Sequence, residues 1–155
     1  MFEQSLLSVL IWLPMIGGLL LLALGQQRAG MVRFLALVLS VVTFLLSLPL
    51  WTQFDGGSAA LQFVEKTVWI DALNIHYHLG VNGISMPLVI LTTIITVLIV
   101  LSAWKVIDKN VHQYMAAMLI LEGMLIGVFS AHDALLFYLF FEAMLIPMFI
   151  IIGIW

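Results

Sequence analysis

The sequence predicts an all-α membrane protein of about five transmembrane helices, with a short β-hairpin-like loop between the second and the third. Three observations carry that prediction. Apolar residues make up 65% of the chain and charged residues 8%, against about half and about a quarter in an average globular protein. The apolar residues gather in five runs, each near the ~20 residues needed to span a bilayer. The few basic residues fall on alternate connections, as a serpentine membrane chain requires. Mean hydropathy is +1.25, and residues 1–155 read as a single membrane domain.

The spans follow in order along the chain. Met1-Phe2-Glu3-Gln4 carries an acid where a secretory signal carries Lys or Arg, and no convincing small-residue cleavage site follows. The first run, Leu6–Leu24, therefore reads as a retained helix, bent at Pro14 and open to close packing at Gly17-Gly18. The second is Phe34–Leu50 and the third is Ile84–Trp104, with Pro87 tolerated in its first turn. The fourth, His112–Ser130, contains Glu122; the fifth, Ala134–Trp155, contains Glu142 and Pro147. Barrel strands would be shorter and alternate in polarity, so the spans are helices. In the loop 52–83, apolar Leu73, Ile75, Tyr77, Leu79 and Val81 alternate with Asn74, His76, His78 and Gly80. That period of two predicts a strand against the membrane surface, with Thr67–Ile70 as its partner.

Orientation follows from charge. Arg28 and Arg33 lie between the first two runs, and Lys105 and Lys109 between the third and fourth. Both connections fall on one side, which the positive-inside rule makes cytoplasmic. The N-terminus, the loop 52–83 and the Ala131-His132-Asp133 turn are then outside, and Trp155 is cytoplasmic. Lys66 is outnumbered in its loop by Asp55, Glu65 and Asp71. Net charge is −3 with scattered basic residues, so there is no footprint for nucleic acid. The partner that the composition does imply is the lipid bilayer. Cysteine is absent, which excludes disulfides, thiolate metal sites and cysteine nucleophiles. No nucleophile–base constellation or phosphate loop points to a soluble-type enzyme.

Ionisable groups inside a membrane cost about 2.5–3.5 kcal/mol on insertion scales and are functional by default. Glu142 lies about nine residues, ~13 Å, inward from Asp133, and Glu122 about eight residues, ~12 Å, inward from Ser130. Antiparallel neighbours thus bring two carboxyl groups to nearly one depth, close to the midplane. Desolvation favours the neutral acid and a nearby base favours the carboxylate, so a carboxyl placed here suits a proton relay. The alternative is a protonated packing residue bonded to a neighbouring helix. Pro147 has no N–H, which frees the carbonyl of Ala143 beside Glu142 to admit water or a side chain; an ordinary proline kink is the plainer reading. Gly123-x-x-x-Gly127 reads as a helix-packing face. His76-x-His78 places two imidazoles on one side of a strand but lacks further ligands, so no metal is expected. Asp133 caps the fifth helix or serves proton uptake. Lys105 and Lys109 read as orientation signals.

Two segments, "HLGVNGISMPLVILTTIITVLIVLSAW" and "GVFSAHDALLFYLFFEAMLIPMFIIIGIW", together with the proline-bearing first helix, carry a resemblance. They are similar to the antiporter-like subunits of proton-pumping NADH:quinone oxidoreductase, respiratory complex I. "FFEAMLIPM" marks the wider family, and "GISMPLVILTT" favours subunit M over its sisters L and N. The resemblance implies that Glu142 pairs with a lysine on a later helix and that changes in the pair move protons along a polar axis. Quinone reduction elsewhere supplies the energy. The chain itself then binds no cofactor; NADH, FMN, iron–sulfur clusters and quinone belong to other subunits. Sister subunits L and N are the implied partners, in a bacterial inner (plasma) membrane. Glu122 stands where the family has no expected invariant acid, so the resemblance lends it little.

Three departures stand against that pattern. Asn82 replaces the acid of "GVDGIS", and His132 replaces an apolar residue. The chain also stops at Trp155, whereas such proteins carry about fourteen helices of spanning length. The expectation is an N-terminal piece of that fold, truncated at its C-terminus, with the lysine partners beyond its end and no pumping by itself. Mrp-type cation/proton antiporter subunits and hydrogenase-linked membrane subunits share the ancestry and are the nearest alternatives. A structural assembly subunit without transport is the alternative of another class.

Overall fold

The structure is a computed structural model that describes residues 6–24, 29–52, 62–70, 72, 75–81, 83–106, 111–131 and 133–154. Its elements are α1 (Leu6–Leu24), α2 (Ala29–Thr52), β1 (Gln62–Ile70), β2 (Ile75–Val81), α3 (Ser85–Val106), α4 (Val111–Ser130) and α5 (Ala134–Ile154). All five helices are long and apolar enough to cross a membrane. The chain is a multi-pass membrane protein.

Two elements exceed the lengths the hydropathy predicts. α2 begins at Ala29 rather than residue 34 and runs to Thr52, through Pro49 in its last turns. Apolar length measures bilayer thickness, whereas helical hydrogen bonding continues into the interface. There Arg33 lies on a long apolar stem, and Pro49 costs only one bond near a helix end. β1 begins at Gln62 and pairs antiparallel with β2, setting Lys66 opposite His78 and Thr67 opposite Tyr77. The strand expected from residue 73 begins at Ile75.

The hairpin packs onto the end of the bundle through alternate residues of β2. Leu79 and Val81 are fully buried there. The Tyr77 hydroxyl accepts the indole N–H of Trp12 at 3.0 Å and shares a hydrogen bond with the Ser8 hydroxyl, also at 3.0 Å. A backbone bridge joins Leu79 to Ala131, which ties the hairpin to the α4–α5 turn.

α4 is the hub, packed against α1, α2, α3 and α5. Small residues bring its backbone close to α1: a Cβ on Gly18 would lie 2.8 Å from the Ala116 carbonyl oxygen, and one on Gly123 only 2.5 Å from that of Ile11. A Cβ on Gly127 would instead lie 2.8 Å from the Phe140 ring of α5. Four residues advance a helix by one turn plus ~40°, so these two glycines serve different neighbours.

Two apolar cores fill the bundle. The one at the hairpin end includes Leu10, Ile11, Leu50, Leu79, Val89 and Ile126. The one at the opposite end includes Leu21, Val32, Ala36, Val100, Met115 and Leu119. Along every one of α2, α3 and α4, the residues between the two cores include buried polar side chains.

Candidate functional site

That intermediate layer is polar because its residues recur at helical spacing. Ser40, Thr43 and Ser47 stand three and four residues apart on α2, and on α3 Thr96 follows Thr92 and Thr93 by four and three; all are buried. Most satisfy themselves within their own helix. Thr43 donates to the Leu39 carbonyl at 2.8 Å, Thr92 to Leu88 at 2.8 Å and Thr96 to Thr92 at 2.9 Å. Ser47 and Thr93 also meet across the α2–α3 seam, their hydroxyls 3.2 Å apart. Small hydroxyl side chains bonded to carbonyls three or four residues back are cheap to bury in a membrane helix.

Glu122 completes the layer from α4. It is 1% exposed. The Thr96 hydroxyl lies beside its carboxyl, yet Thr96 spends its proton on its own helix and neither carboxyl oxygen makes a hydrogen bond of standard geometry. Beside the carboxyl is a cavity of about 100 Å³ between α3 and α4, lined on its polar side by Glu122, Thr92 and Thr96. An unpaired carboxylate in such a place is strongly unfavourable. The geometry therefore suits a group that holds a proton and releases it when its surroundings change.

Glu142 sits differently. Its side chain is exposed on α5, among exposed Tyr138, Leu145, Ile146 and Phe149. The two carboxyl groups are matched in count from their connecting turn, but they do not share one site: Glu142 faces away from the bundle and does not line the cavity at Glu122. Pro147 points the other way. It is buried and lines an apolar groove of about 440 Å³ with Leu22, Ala116, Ile120 and Ile150.

Asp133 is the N-cap of α5. Its carboxylate accepts the backbone N–H of Leu135 at 3.0 Å, satisfying one otherwise orphaned donor, and its carbonyl accepts that of Phe137 at 2.9 Å as the first bond of the helix. His132 and Asn82 lie outside the described residues. Among the described residues no three His, Asp or Glu side chains gather as metal ligands. The hydroxyl layer is what sequence reasoning missed. Its signal was present in Ser40-x-x-Thr43-x-x-x-Ser47 and Thr92-Thr93-x-x-Thr96, hydroxyl residues recurring at helical spacing in otherwise apolar spans.

The chain aligns along nearly its whole length with a part of longer curated proteins. The chain is 47% identical over 156 residues, 98% of its length, to NADH-quinone oxidoreductase subunit M of Rhodobacter capsulatus. It is 46% identical over 149 residues, 96% of its length, to NADH-ubiquinone oxidoreductase chain 4 of Arabidopsis thaliana. The chain is homologous to the subunit M/chain 4 family. Subunit M of Rickettsia conorii matches all of it at 38% identity. This chain spans only 30% of the length of the first two relatives and 32% of the third. No family model matches it. That similarity is in keeping with the five helices long and apolar enough to cross a membrane.

Proposed function

We propose that this chain is part of the membrane arm of a proton-pumping NADH:quinone oxidoreductase and contributes to proton translocation without binding a redox cofactor. One observation carries the reading: Glu142, an ionisable group deep within α5, is presented on an exposed and otherwise apolar helix face. A carboxyl group facing hydrocarbon is costly, and such groups face protein or water in working membrane proteins. The exposed face of α5 is thus an interface, and a basic group brought against it pairs with Glu142. Making and breaking that pair changes the proton affinity of the carboxyl and moves a proton. Glu122 is a second proton-holding group in the buried layer. Asp133 acts as a helix cap at the membrane surface and, in the same reading, stands where protons are taken up or released.

The oxidation of NADH and the reduction of quinone belong to other subunits, which carry FMN and iron–sulfur clusters. Partners within the membrane are the sister subunits L and N. The basic residues Arg28, Arg33, Lys105 and Lys109 put the α1–α2 and α3–α4 connections in the cytoplasm of a bacterium. The hairpin and the N-terminus then face outward across the inner (plasma) membrane.

The test is Glu142→Gln in the full-length subunit. NADH-driven proton pumping into inverted membrane vesicles falls at normal assembly of the complex. Pumping at the wild-type rate refutes the role given to Glu142, and Na⁺-dependent transport in place of quinone-coupled pumping identifies a cation antiporter instead.

A further inference from the structure

We propose that the cavity between α3 and α4 is a hydrated proton-binding site, in which ordered water bridges the Glu122 carboxyl to the hydroxyl oxygens of Thr92 and Thr96. The cavity of about 100 Å³ is well above the roughly 10–15 Å³ needed to admit one water. Its polar atoms are all acceptors. Thr92 and Thr96 direct their protons to the carbonyls of Leu88 and Thr92, so their oxygens turn lone pairs outward, and an ionised carboxylate only accepts. Both Glu122 oxygens are buried and, with only the Thr96 hydroxyl beside them, neither makes a hydrogen bond of standard geometry, although buried polar groups as a rule find partners in protein or ordered water. An acceptor-only pocket is completed by a donor. Arg33 on α2, His112 on α4 and Glu142 on α5 belong to the elements packed around α4, but none of them lines the cavity.

The candidate donors are water, a proton on the carboxyl, and a hard cation. Hard cations take about six oxygen ligands, whereas the cavity offers the two carboxyl oxygens and the two threonine hydroxyls. A proton needs no such shell. It removes the charge that burial penalises and turns one carboxyl oxygen into a donor toward water. The remaining walls, Ile95, Ile99, Met118, Leu121 and Leu125, confine water to the polar side. Thr92 and Thr96 are then positioning residues, fixing the water that reaches the acid. This deepens the reading of Glu122 given above; it rests on that reading for the use made of the proton and not for the occupancy of the pocket.

Infrared spectroscopy of the full-length subunit in its assembled complex tests it. The wild type shows a carbonyl stretch of a protonated carboxylic acid that is lost in Glu122→Gln. In Glu122→Asp the band shifts rather than vanishes, which guards against loss through misassembly. In the Thr92→Val/Thr96→Val double variant it moves to higher wavenumber, and in the wild type it shifts promptly on transfer to D₂O. Replacing choline by Na⁺ at constant ionic strength leaves it unchanged. Absence of a Glu122-dependent band, insensitivity to the threonine changes, lack of exchange, or loss of the band in Na⁺ each overturns the proposal. Pumping measured on the same samples separates the two claims. Normal pumping in Glu122→Gln alongside a lost band leaves the hydrated site standing and removes Glu122 from the relay.

Discussion

Gly123→Ala is the sharpest probe of the bundle, because one methyl group meets a backbone that cannot turn aside. The added Cβ would lie 2.5 Å from the Ile11 carbonyl oxygen and collide with the Met15 side chain. Real Cβ atoms essentially never approach closer than 3.0 Å, so α1 and α4 must separate by roughly half an ångström at their crossing. Met15 is flexible and can swing away; the carbonyl is fixed by its helix. Overpacking of this kind costs about 1–3 kcal/mol, a factor of about 5 to 160 in an equilibrium constant at ~1.36 kcal/mol per decade. The control is Gly153→Ala, where a Cβ meets nothing within 4 Å. The assay is the intact fraction of the full complex after graded heating in mild detergent, read on native gels. Gly123→Ala lowers the midpoint and Gly153→Ala leaves it in place. Equal behaviour of the two, or full rescue of Gly123→Ala by Met15→Ala, refutes the backbone contact as the cause.

Asp133→Ala costs about 0.5–2 kcal/mol as the cap of α5 is lost, whereas Asp133→Asn keeps the cap and removes the charge. Heat stability with pumping therefore separates capping from proton uptake: Asp133→Asn retains stability, and its pumping rate reports the role of the charge. Tyr77→Phe removes the shared hydrogen bonds to Ser8 and Trp12 at a net cost of about 0.5–1.5 kcal/mol each. It loosens the hairpin from α1, read as faster amide hydrogen exchange across β2, and unchanged exchange there excludes the tether.

The spans were legible because lipid imposes a length, and a run such as Ser85–Trp104 has no other use for so many consecutive apolar residues. The alternation from Ile75 to Val81 likewise told which side of β2 is buried, as Leu79 and Val81 show. The start of β1 was not legible, since Gln62 and Glu65 owe their place to pairing with Val81 and Leu79 rather than to any pattern of their own. Facing directions were the hardest part. A helix that is apolar all round presents no preferred side, so nothing around Glu142 in "LFFEAMLIPM" announced that it looks outward while Pro147 looks in. Glu122 and Glu142 could be matched in depth by counting residues, but their separation by azimuth depends on which helices α4 and α5 touch.

The central place of α4 has a consequence for how the protein is made. Helices enter a membrane in chain order and then associate, yet the element that contacts all the other helices is the fourth to arrive. Until then α1, α2 and α3 can hold only part of the bundle, with Gly18 and the Thr96 hydroxyl facing an unfilled place. Glu122 is thus delivered into a socket whose walls are already in the bilayer. Its insertion is tied to a single docking event, and a chain interrupted before α4 leaves three helices with polar and small residues turned toward lipid.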